Sequence, residues 1–361
     1  MTASPVSSRA ILIVAGGTGG HVYPALAVAT YLRALGARVS WLGTPRGLEA
    51  RVVPAAGFPF FSIAVGGVRG KGLITLAAAP LGVLRALVQS VRVLRRVRPD
   101  AVLGMGGFAA GPGGLAAWLL GRPLLIHEQN AIPGLTNRLL APLARVVMEA
   151  FPGSFGPRAG ALLTGNPLRA ELAAAGPRPA PRDPLRILVV GGSLGARALN
   201  EVVPAALASL AAVRPLAIRH QSGPDHHAAA AARYRELGLA AEVVPYLEDM
   251  AAAYAWADLA ICRAGAMTVA ELAMSGLPAV LVPYPHAVDD HQTANARYLT
   301  AAGAALLLPQ SELDAATLAA RLEALLAEDQ GLARMAAAAR SRAFPEATRR
   351  VAEQCLEAAR G

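Results

Sequence analysis

The stretch that decides the fold is AILIVAGGTGGHVYPALAVATYLRALG, residues 10–36. Its first five residues are a short apolar, β-branched run that predicts a strand. The end of the stretch, residues 23–36, has the apolar spacing of a helix and closes on a glycine. The glycines between them predict a tight turn, whose backbone N–H groups at a helix N-terminus suit a phosphate. We therefore expect a strand, a turn and a helix.

His21 is the titratable side chain of this turn. A histidine titrates near neutral pH, so a ring beside a bound anion is suited to proton transfer. The alternative is a histidine that caps the helix or is buried for structural reasons. The turn taken alone favours that alternative.

A second copy of the pattern, RILVVGGSLGARALNEVVPAAL, occupies residues 186–207. Between the copies lies GPRPAPRDP, residues 176–184, whose prolines and charges predict an extended linker. We place the boundary between two domains there.

Short strand-like segments alternate with helix-like segments in both halves, which predicts an α/β fold with parallel sheets. The segments are RVSWLG, AVLGM and PLLIHE in the first half, then LAIRHQ, AEVVPY, LAICRAG and AVLVPYP in the second. Two doubly wound domains facing each other would place both glycine turns at strand carboxyl ends, where such sheets bind ligands. The expected active site is the central cleft.

Composition limits the class of protein. The chain has 361 residues, 54% of them hydrophobic, enough to bury two cores. The uncharged segment 101–121 is long enough to span a bilayer, but it contains seven glycines, so it predicts two short elements and a loop. We find no signal peptide pattern and expect a cytosolic protein. Cys262 and Cys355 have no metal or redox spacing and are expected to be buried thiols.

The net charge of +10 lies entirely in the first half of the chain. Residues 1–150 hold 15 Arg and Lys against 4 Asp and Glu, and the remainder holds 19 against 20. With 5% aromatic residues and no recognition-helix pattern, nucleic acid is disfavoured as a partner. An anionic membrane or a phosphorylated substrate fits better, and a merely solvated basic surface stays open.

Two other nucleotide-binding classes are disfavoured by the glycine turns. Neither turn gives a clean G-x-G-x-x-G followed by an acidic residue for a ribose, which argues against a dinucleotide dehydrogenase. Neither carries the Gly-Lys-Ser/Thr of a Walker A loop.

The second half contains a candidate nucleoside site in CRAGAMTVAELAMSGLP, residues 262–278. A helix is predicted to start near Ala266, with Thr268 and Glu271 on one face. There a carboxylate can accept hydrogen bonds from a ribose diol. The alternative is a capping box formed by the same two residues, which the pattern alone slightly favours.

The loop PYPHAVDDHQTANA, residues 283–296, could have been a metal site. However, Asp289, Asp290 and His291 are adjacent rather than at ligand spacing. We therefore expect hydrogen bonds to a sugar, no metal and no cofactor.

Eight motifs together resemble the bacterial family of N-acetylglucosaminyltransferases that convert lipid I into lipid II. In chain order they are GGTGGH, RGKG, GMGGFAAGPGG, HEQNAIPGLTNR, TGNPLR, GGSLGARALN, AICRAGAMTVAEL and DDHQTANA. The resemblance covers nearly the whole chain and implies the GT-B fold, two Rossmann-like domains around a cleft. It also implies an acceptor- and membrane-binding domain over 1–168, a donor domain over 169–341, and a C-terminal helix, 342–361, that packs on the first domain.

The resemblance further implies which residues bind UDP-N-acetylglucosamine. Ser193 and its turn would meet the diphosphate, Glu271 the ribose and Gln292 the sugar hydroxyls, while Arg169 would neutralise the leaving group. The full set of matching donor positions is Arg169, Ser193, Leu247, Ala266, Met267, Thr268, Glu271, His291 and Gln292.

On the acceptor side the resemblance implies binding of lipid I by Thr18, Gly19, Gly20 and Asn130. Transfer with inversion requires a base for the muramyl 4-hydroxyl, and this makes His21 the candidate catalytic residue. Two alternatives remain: a GT-B transferase for another membrane glycolipid, and a nucleotide-sugar-binding protein without activity.

A peripheral position at the cytoplasmic face of the cell membrane is expected from residues 69–98, which combine apolar positions with Arg69, Lys71 and further arginines. We expect Leu73 to Leu76 to enter the anionic leaflet. We expect most of Leu84, Leu87, Val88, Val91 and Leu94 to cover the sheet instead.

Overall fold

A computed structural model of the chain describes residues 9–66, 73–173, 182–192, 194–328 and 330–360, leaving aside the side chains of 73–79, 173 and 288. The chain forms two compact units. The first comprises Met1–Arg169 and Glu346–Gly361, and the second comprises Ala170–Pro345. The chain passes between the units at Arg169–Ala170, ahead of the proline-rich segment 176–184. Most of that segment lies outside the described residues.

The first unit is a parallel sheet of seven strands in the order β3-β2-β1-β4-β5-β6-β7. Its strands are β1 Ala10–Val14, β2 Arg38–Gly43, β3 Phe60–Ser62, β4 Ala101–Gly104, β5 Leu124–Glu128, β6 Val146–Glu149 and β7 Leu162–Leu163. Its helices are α1 Gly19–Ala34, α2 Glu49–Ala55, α3 Leu73–Val97, α4 Ala110–Leu119, α5 Leu135–Leu140 and, at the end of the chain, α14 Ala347–Ala358.

The second unit is a parallel sheet of six strands in the order β10-β9-β8-β11-β12-β13. Its strands are β8 Leu185–Val190, β9 Leu216–Gln221, β10 Glu242–Val244, β11 Leu259–Cys262, β12 Ala279–Leu281 and β13 Ala305–Leu307. Its helices are α6 Ala170–Ala173, α7 Arg197–Ala211, α8 His227–Glu236, α9 Met250–Trp256, α10 Ala266–Ser275, α11 His291–Thr300, α12 Ala315–Ala327 and α13 Gly331–Arg340.

The prediction of two Rossmann-like, doubly wound parallel sheets is confirmed. In each unit the strand order reverses beside the strand that precedes a glycine loop, because β1 lies between β2 and β4, and β8 between β9 and β11. Loops at such a switch point open at the carboxyl end of the sheet, where ligands bind. The fold thus places both glycine loops at ligand-binding ends.

Apolar cores cover both faces of the first sheet. One face packs against α1 and α14, with Val351 and Cys355 among its buried residues. The other face packs against α3 and α4. Trp41 is fully buried and its Nε1 donates to the carbonyl of Ala15 at 2.9 Å, which ties β2 to the end of β1. These contacts fix where the first glycine loop begins.

The segment 101–121 forms β4 and α4, as its glycines predicted. No helix among the described residues is long and apolar enough to cross a membrane. Both cysteines are buried, also as predicted, and burial raises the pKa of each thiol to about 12.

Helix α3 packs on the sheet through most of the apolar residues that were expected to do so. Leu94 is buried, and Leu87 and Val91 pack against the core. Leu84 and Val88 are the two exceptions, at 56% and 42% exposed. An amphipathic stripe that is apolar over more than the width of the contact leaves some of its residues in solvent. The side chains of Leu73 to Leu76 lie outside the described residues.

Candidate active site

The first glycine loop connects β1 to α1 through a left-handed glycine. Gly17 has φ of 97°, and Thr18 is the residue that precedes the helix, without a side-chain cap. The N–H groups of His21 and Val22 donate to the carbonyl of Thr18 at 3.1 and 3.2 Å. The amides of Gly19 and Gly20 therefore begin the helix with no acceptor inside it, as an anion site requires.

Helix α1 starts at Gly19, earlier than the pattern from residue 23 predicted. Glycine has a low helix propensity, so the first turn carries no helical signal in the sequence. This early start places His21 inside the first turn rather than in the loop. The helix-capping alternative for His21 is wrong, because Thr18 occupies the capping position.

A buried carboxylate holds this loop. Glu49 is fully buried, and its Oε2 accepts from the N–H of Gly17 at 3.0 Å. Its Oε1 accepts from the N–H and the hydroxyl of Thr44 at 2.9 and 2.7 Å. The carboxylate thus joins the loops that follow β1 and β2. Sequence analysis missed Glu49, because its partner Gly17 is 32 positions away in the chain.

The loop after β4 packs directly on the first glycine loop. Gly107 has φ of 81°, and a Cβ there would collide with the backbone of Gly16. Gly106 has φ of 94°, and a Cβ there would lie 2.9 Å from Cε1 and Nδ1 of His21. Gly106 and Gly107 therefore allow the loop after β4 to pack directly against the imidazole ring of His21 and the first glycine loop.

The imidazole of His21 is half-buried, and its Nδ1 lies 2.7 Å from Oε1 of Gln129. Gln129 is 1% exposed and follows β5 directly. Its Nε2 lies 3.1 Å from Nδ1 of His127, which is fully buried in β5. Burial lowers the pKa of His127 to about 4, although the carbonyl of Gly165 and the charge of Glu128 act in the opposite direction.

Asn130 is oriented by a second buried carboxylate. Oε1 of Glu128 accepts from the N–H of Asn130 at 2.9 Å and from its side-chain amide at 3.2 Å. Oε2 of Glu128 accepts from the N–H of Gly134 and the amide of Asn137. Sequence analysis selected Asn130 and His21 but missed Gln129, His127 and Glu128. The available signal was a polar run at the carboxyl end of a buried strand.

Arg169 belongs to the first unit. Its guanidinium carbon lies 4.9 Å from the ring centroid of Tyr23, within cation–π distance. The residue implied as a donor ligand is therefore held beside α1, on Tyr23, which lies two positions after His21.

The second glycine loop connects β8 to α7 and is held mostly by backbone contacts. The N–H of Gly195 donates to the carbonyl of Gly192 at 2.9 Å, and the amide of Gln221 donates to the same carbonyl at 3.2 Å. A Cβ at Gly195, where φ is 77°, would collide with the carbonyl of Ser222. Ser193 lies outside the described residues.

Helix α10 begins at Ala266, as predicted. Gly265 precedes it without a side-chain cap, and Thr268 is the third residue of the helix, so the capping-box alternative is wrong. The hydroxyl of Tyr254 donates to Oε2 of Glu271 at 2.9 Å. Burial raises the pKa of Tyr254 well above its ordinary value, so the phenol stays protonated and Glu271 is the acceptor.

Gln292 is positioned by the loop after β12. Its Oε1 accepts from the N–H of Tyr284 at 2.9 Å. Asp289 and Asp290 both have φ of 52°, and His291 is the first residue of α11. Among the described residues no group of three or more His, Cys, Asp and Glu is placed to hold a metal ion.

Within each unit several of the predicted residues lie on elements that contact one another. In the first unit the start of α1 contacts the loop that carries Gln129 and Asn130. In the second, α10 carries Ala266, Met267, Thr268 and Glu271 and contacts α11, which carries His291 and Gln292. Leu247 is half-buried in the loop after β10.

Comparison with known domain families decides the class. Residues 11–149 match the glycosyltransferase family 28 N-terminal domain. Residues 186–351 match the glycosyltransferase family 28 C-terminal domain. The chain belongs to glycosyltransferase family 28.

Family 28 relatives cover the chain almost completely. Two carry the name UDP-N-acetylglucosamine--N-acetylmuramyl-(pentapeptide) pyrophosphoryl-undecaprenol N-acetylglucosamine transferase. The protein from Methylococcus capsulatus is 58% identical over 98% of this chain and 99% of its own. The protein from Alkalilimnicola ehrlichii is 59% identical over 97% of this chain and 99% of its own.

A solved family 28 structure, Acinetobacter baumannii MurG, superposes with a TM-score of 0.84. It is 46% identical and covers 97% of this chain and 99% of its own. Each family 28 domain match contains one of the two glycine loops, at 16–20 and 191–195. Arg169 lies between the two matches. The resemblance to this glycosyltransferase family is thus confirmed.

Proposed function

We propose that this family 28 enzyme transfers N-acetylglucosamine from UDP-N-acetylglucosamine to the 4-hydroxyl of the muramyl sugar of lipid I, forming lipid II with inversion. The observation that carries the proposal is identity above half, over nearly the full length of both chains, with relatives named for this transfer. The chemistry needs one proton acceptor and one site for a nucleoside diphosphate.

In the first unit, His21 is the base for the acceptor hydroxyl. Its ring is held against Gly106 and by Gln129 through Nδ1, so Nε2 is the nitrogen that remains for a substrate proton. Gly19 and Gly20 supply N–H groups at the start of α1 that suit the acceptor diphosphate. Thr18 precedes them, and Asn130 presents an amide that Glu128 orients.

In the second unit, the donor is bound by the ends of α7 and α10. Ser193 and its loop bind the diphosphate, while Leu247 and the first turn of α10, Ala266 to Thr268, frame the uracil. Glu271 accepts from the ribose hydroxyls, with its orientation fixed by Tyr254.

Two further groups complete the donor site. Gln292, whose oxygen is occupied by Tyr284, presents its NH₂ group to the sugar, beside His291. Arg169 supplies the positive charge for the departing UDP. A carboxylate that accepts and an amide that donates give the two ends of a nucleotide sugar different partners.

The test is transfer from labelled UDP-sugars to lipid I and to other polyprenyl glycolipids. We expect a product only when the donor is UDP-N-acetylglucosamine and the acceptor is lipid I. Transfer only to another glycolipid would support the alternative acceptor. Binding of UDP without any transfer would support the non-catalytic alternative and end this proposal.

We also propose peripheral docking on the anionic cytoplasmic leaflet through one face of α3, defined by Leu81, Leu84, Arg85, Val88 and Arg92. Helical spacing puts these residues on one side, and Leu81 and Leu84 are 72% and 56% exposed. Apolar insertion beside arginines is the pattern of an interfacial helix. Each basic residue contributes about 1 kcal/mol near an anionic leaflet.

Vesicle sedimentation tests the docking face. Arg85→Glu with Arg92→Glu should reduce binding to anionic vesicles at least about tenfold, because two attractions of about 1 kcal/mol are lost. Leu81→Ser with Leu84→Ser should reduce it at low and high salt alike, since insertion is not screened. Val213→Ser, at an apolar residue of the second unit that is 72% exposed, is the control. Equal binding by all variants would contradict this docking face.

A further inference from the structure

Behind His21 lies a chain of hydrogen bonds that the transfer reaction itself does not require. It runs from Nδ1 of His21 to the amide of Gln129 at 2.7 Å and from that amide to Nδ1 of His127 at 3.1 Å. It ends where Nε2 of His127 lies 3.0 Å from the carbonyl of Gly165. Gln129 and His127 are 1% and 0% exposed, so each polar atom must find its partner inside the protein.

The direction of every bond follows from its buried end. Nε2 of His127 lies 3.0 Å from the carbonyl of Gly165, which only accepts, and 3.1 Å from the hydroxyl of Thr164, which can accept while it donates to that carbonyl. Nε2 of His127 therefore carries the proton and Nδ1 has the lone pair. That lone pair needs a donor, which is the NH₂ group of Gln129. The same NH₂ group lies 3.1 Å from the carbonyl of His127, a second acceptor that supports this orientation.

The orientation of Gln129 then decides the protonation of His21. Its amide oxygen must face His21, and an oxygen only accepts, so Nδ1 of His21 carries a proton. In the neutral ring Nε2 is consequently the unprotonated nitrogen.

We propose that Gln129 and His127 are positioning residues that fix His21 as the Nδ1–H tautomer and so keep Nε2 ready to accept a proton. The proposal rests on the proposed role of His21 as the base. It assigns a task to two side chains that are buried inside the first unit.

The hydrogen bond between Gln129 and His127 keeps its direction in the ordinary pH range. Desolvation lowers the pKa of His127 to about 4, so it stays neutral and its Nδ1 stays an acceptor. Gly106 lies against the ring of His21 at Nδ1 and Cε1, which leaves no room for a side chain there. The ring is therefore fixed both by its neighbour and by its hydrogen bond.

The proton balance of the transfer step fits this arrangement. As the muramyl oxygen forms its bond to the anomeric carbon, its proton passes to Nε2 of His21. The bond from that carbon to the diphosphate breaks, and UDP leaves with the electron pair. The imidazolium then carries protons on both nitrogens, and its Nδ1–H bond to Gln129 becomes charge-assisted. Solvent later accepts the proton.

A second buried histidine belongs to a set of hydrogen bonds that joins buried side chains. In the second unit Nε2 of His220 lies 2.9 Å from Oδ1 of Asn200, and Nδ1 lies 2.9 Å from the hydroxyl of Tyr234. Burial lowers the pKa of His220 to about 3 and raises that of Tyr234. These bonds link buried side chains to one another, whereas the chain in the first unit leads to a half-buried imidazole.

The tautomer can be measured directly by ¹⁵N NMR on histidine-labelled protein at alkaline pH, with His21→Gln to identify the signal. The wild type should show a proton on Nδ1 and none on Nε2 of His21. Gln129→Met removes both hydrogen bonds at similar length and should mix the two tautomers. Gln129→Glu keeps an oxygen facing His21 and should restore the Nδ1–H form.

Kinetics should follow the tautomer. Gln129→Met should lower kcat about 10- to 100-fold, the usual cost of losing a partner that orients a functional histidine, with UDP affinity unchanged. The matched control is Tyr234→Phe, which removes one hydrogen bond from the buried histidine of the second unit. It should lose stability without losing kcat.

The outcomes separate this proposal from the proposed function. A proton on Nε2 of His21 in the wild type would overturn the positioning role, even if Gln129→Met fails to fold. So would an unchanged tautomer and kcat in Gln129→Met. If the tautomer is as proposed but His21→Ala keeps its turnover, the hydrogen-bond chain stands and the role of His21 as base is wrong.

Discussion

The loop after β1 and the loop after β8 both begin with Gly-Gly, but the helices that follow begin at different points. In the first loop α1 begins at Gly19, so His21 lies in the first turn. In the second, α7 begins at Arg197, and the position that corresponds to His21 is Ala196, just ahead of the helix. At this corresponding position the first loop therefore carries an imidazole, whereas the second carries only the methyl group of Ala196.

The two loops are also held differently. The first depends on the buried carboxylate of Glu49, which accepts from Gly17 and from Thr44. The second is held by the contact of Gly195 with Ser222 and by the amide of Gln221. A group that transfers a proton needs a fixed ring, whereas a diphosphate needs only N–H groups in place. The predictions below test this difference.

The largest effect should come from His21→Ala. A general base contributes about 10²- to 10⁴-fold, or roughly 3 to 5 kcal/mol of transition-state stabilisation. We expect that loss in turnover at saturating acceptor, with UDP affinity and melting temperature unchanged. His226→Ala, in the second unit, serves as the control histidine. Turnover within about threefold of the wild type, under ~1 kcal/mol, in a folded His21→Ala protein would exclude His21 as the base.

Glycine substitutions should separate crowded from open positions around both loops. Gly107, in the loop after β4, is the crowded position that packs on the first glycine loop. Gly107→Ala and Gly195→Ala each combine a positive φ with a backbone collision and should cost about 3 to 5 kcal/mol of folding free energy. Gly17→Ala and Gly192→Ala have positive φ but nothing within 4 Å of the added Cβ, and should cost about 1 to 2 kcal/mol.

Denaturant unfolding of the four glycine variants measures these costs. The variant at the crowded position should be the less stable one in each pair, Gly107 with Gly17 and Gly195 with Gly192. Equal losses at Gly107 and Gly17, or at Gly195 and Gly192, would show that the backbone contacts do not hold the loops.

Local patterns were enough to predict most of the fold. The predicted runs 38–43 and 216–221 coincide with β2 and β9. The start of α10 at Ala266 was predicted from the glycine before it. The short strands β3, β6, β7 and β13 were not singled out, since runs this brief depend on their neighbours in the sheet.

The candidate site was predicted less completely than the fold. His21 and Glu271 lie in recognisable motifs, and the family resemblance selected them. Glu49 and Gln129 act on partners 32 and 108 positions away, and one sequence contains no signal for such pairings. On α3 the expectation that most of five apolar residues cover the sheet is confirmed, but helical periodicity does not identify Leu84 as one that stays exposed.

The two buried histidines should make the stability of each unit fall at acid pH. Burial lowers the pKa of His127 to about 4 and that of His220 to about 3, whereas in an unfolded chain both lie near 6.5. Below about pH 6.5 the unfolded chain binds protons that the folded protein does not. The stability contributed is complete above that pH and is lost as the pH falls toward 4 and 3, by on the order of 3 kcal/mol for His127 and about 5 kcal/mol for His220.

Hydrogen exchange of the backbone amides in β5 and β9, at several pH values, measures the stability of each unit separately. His127→Gln should flatten the pH dependence in β5 only, and His220→Gln in β9 only. The same pH dependence in wild type and both variants would show that other groups cause the loss.

The smallest effect should come from the donor side, and it should appear in binding rather than in turnover. Glu271→Ala removes a carboxylate proposed to accept from the ribose, so UDP affinity should fall by roughly 1.5 to 3 kcal/mol, the cost of a hydrogen bond to a charged group. Turnover at saturating donor should change far less than in His21→Ala. Calorimetry with UDP measures the first quantity directly, and an unchanged affinity would remove Glu271 from the ribose site.

Tyr254→Phe sharpens the same test. It keeps the carboxylate and deletes only the phenol that holds Oε2 of Glu271 at 2.9 Å. The loss of UDP affinity should therefore be smaller, about 0.5 to 1.5 kcal/mol, because one neutral donor disappears while the charged acceptor stays. If Tyr254→Phe weakened UDP binding as much as Glu271→Ala does, the carboxylate of Glu271 would contribute to binding only when Tyr254 holds it in this orientation. A loss at Glu271 alone would mean that α10 itself positions the acceptor.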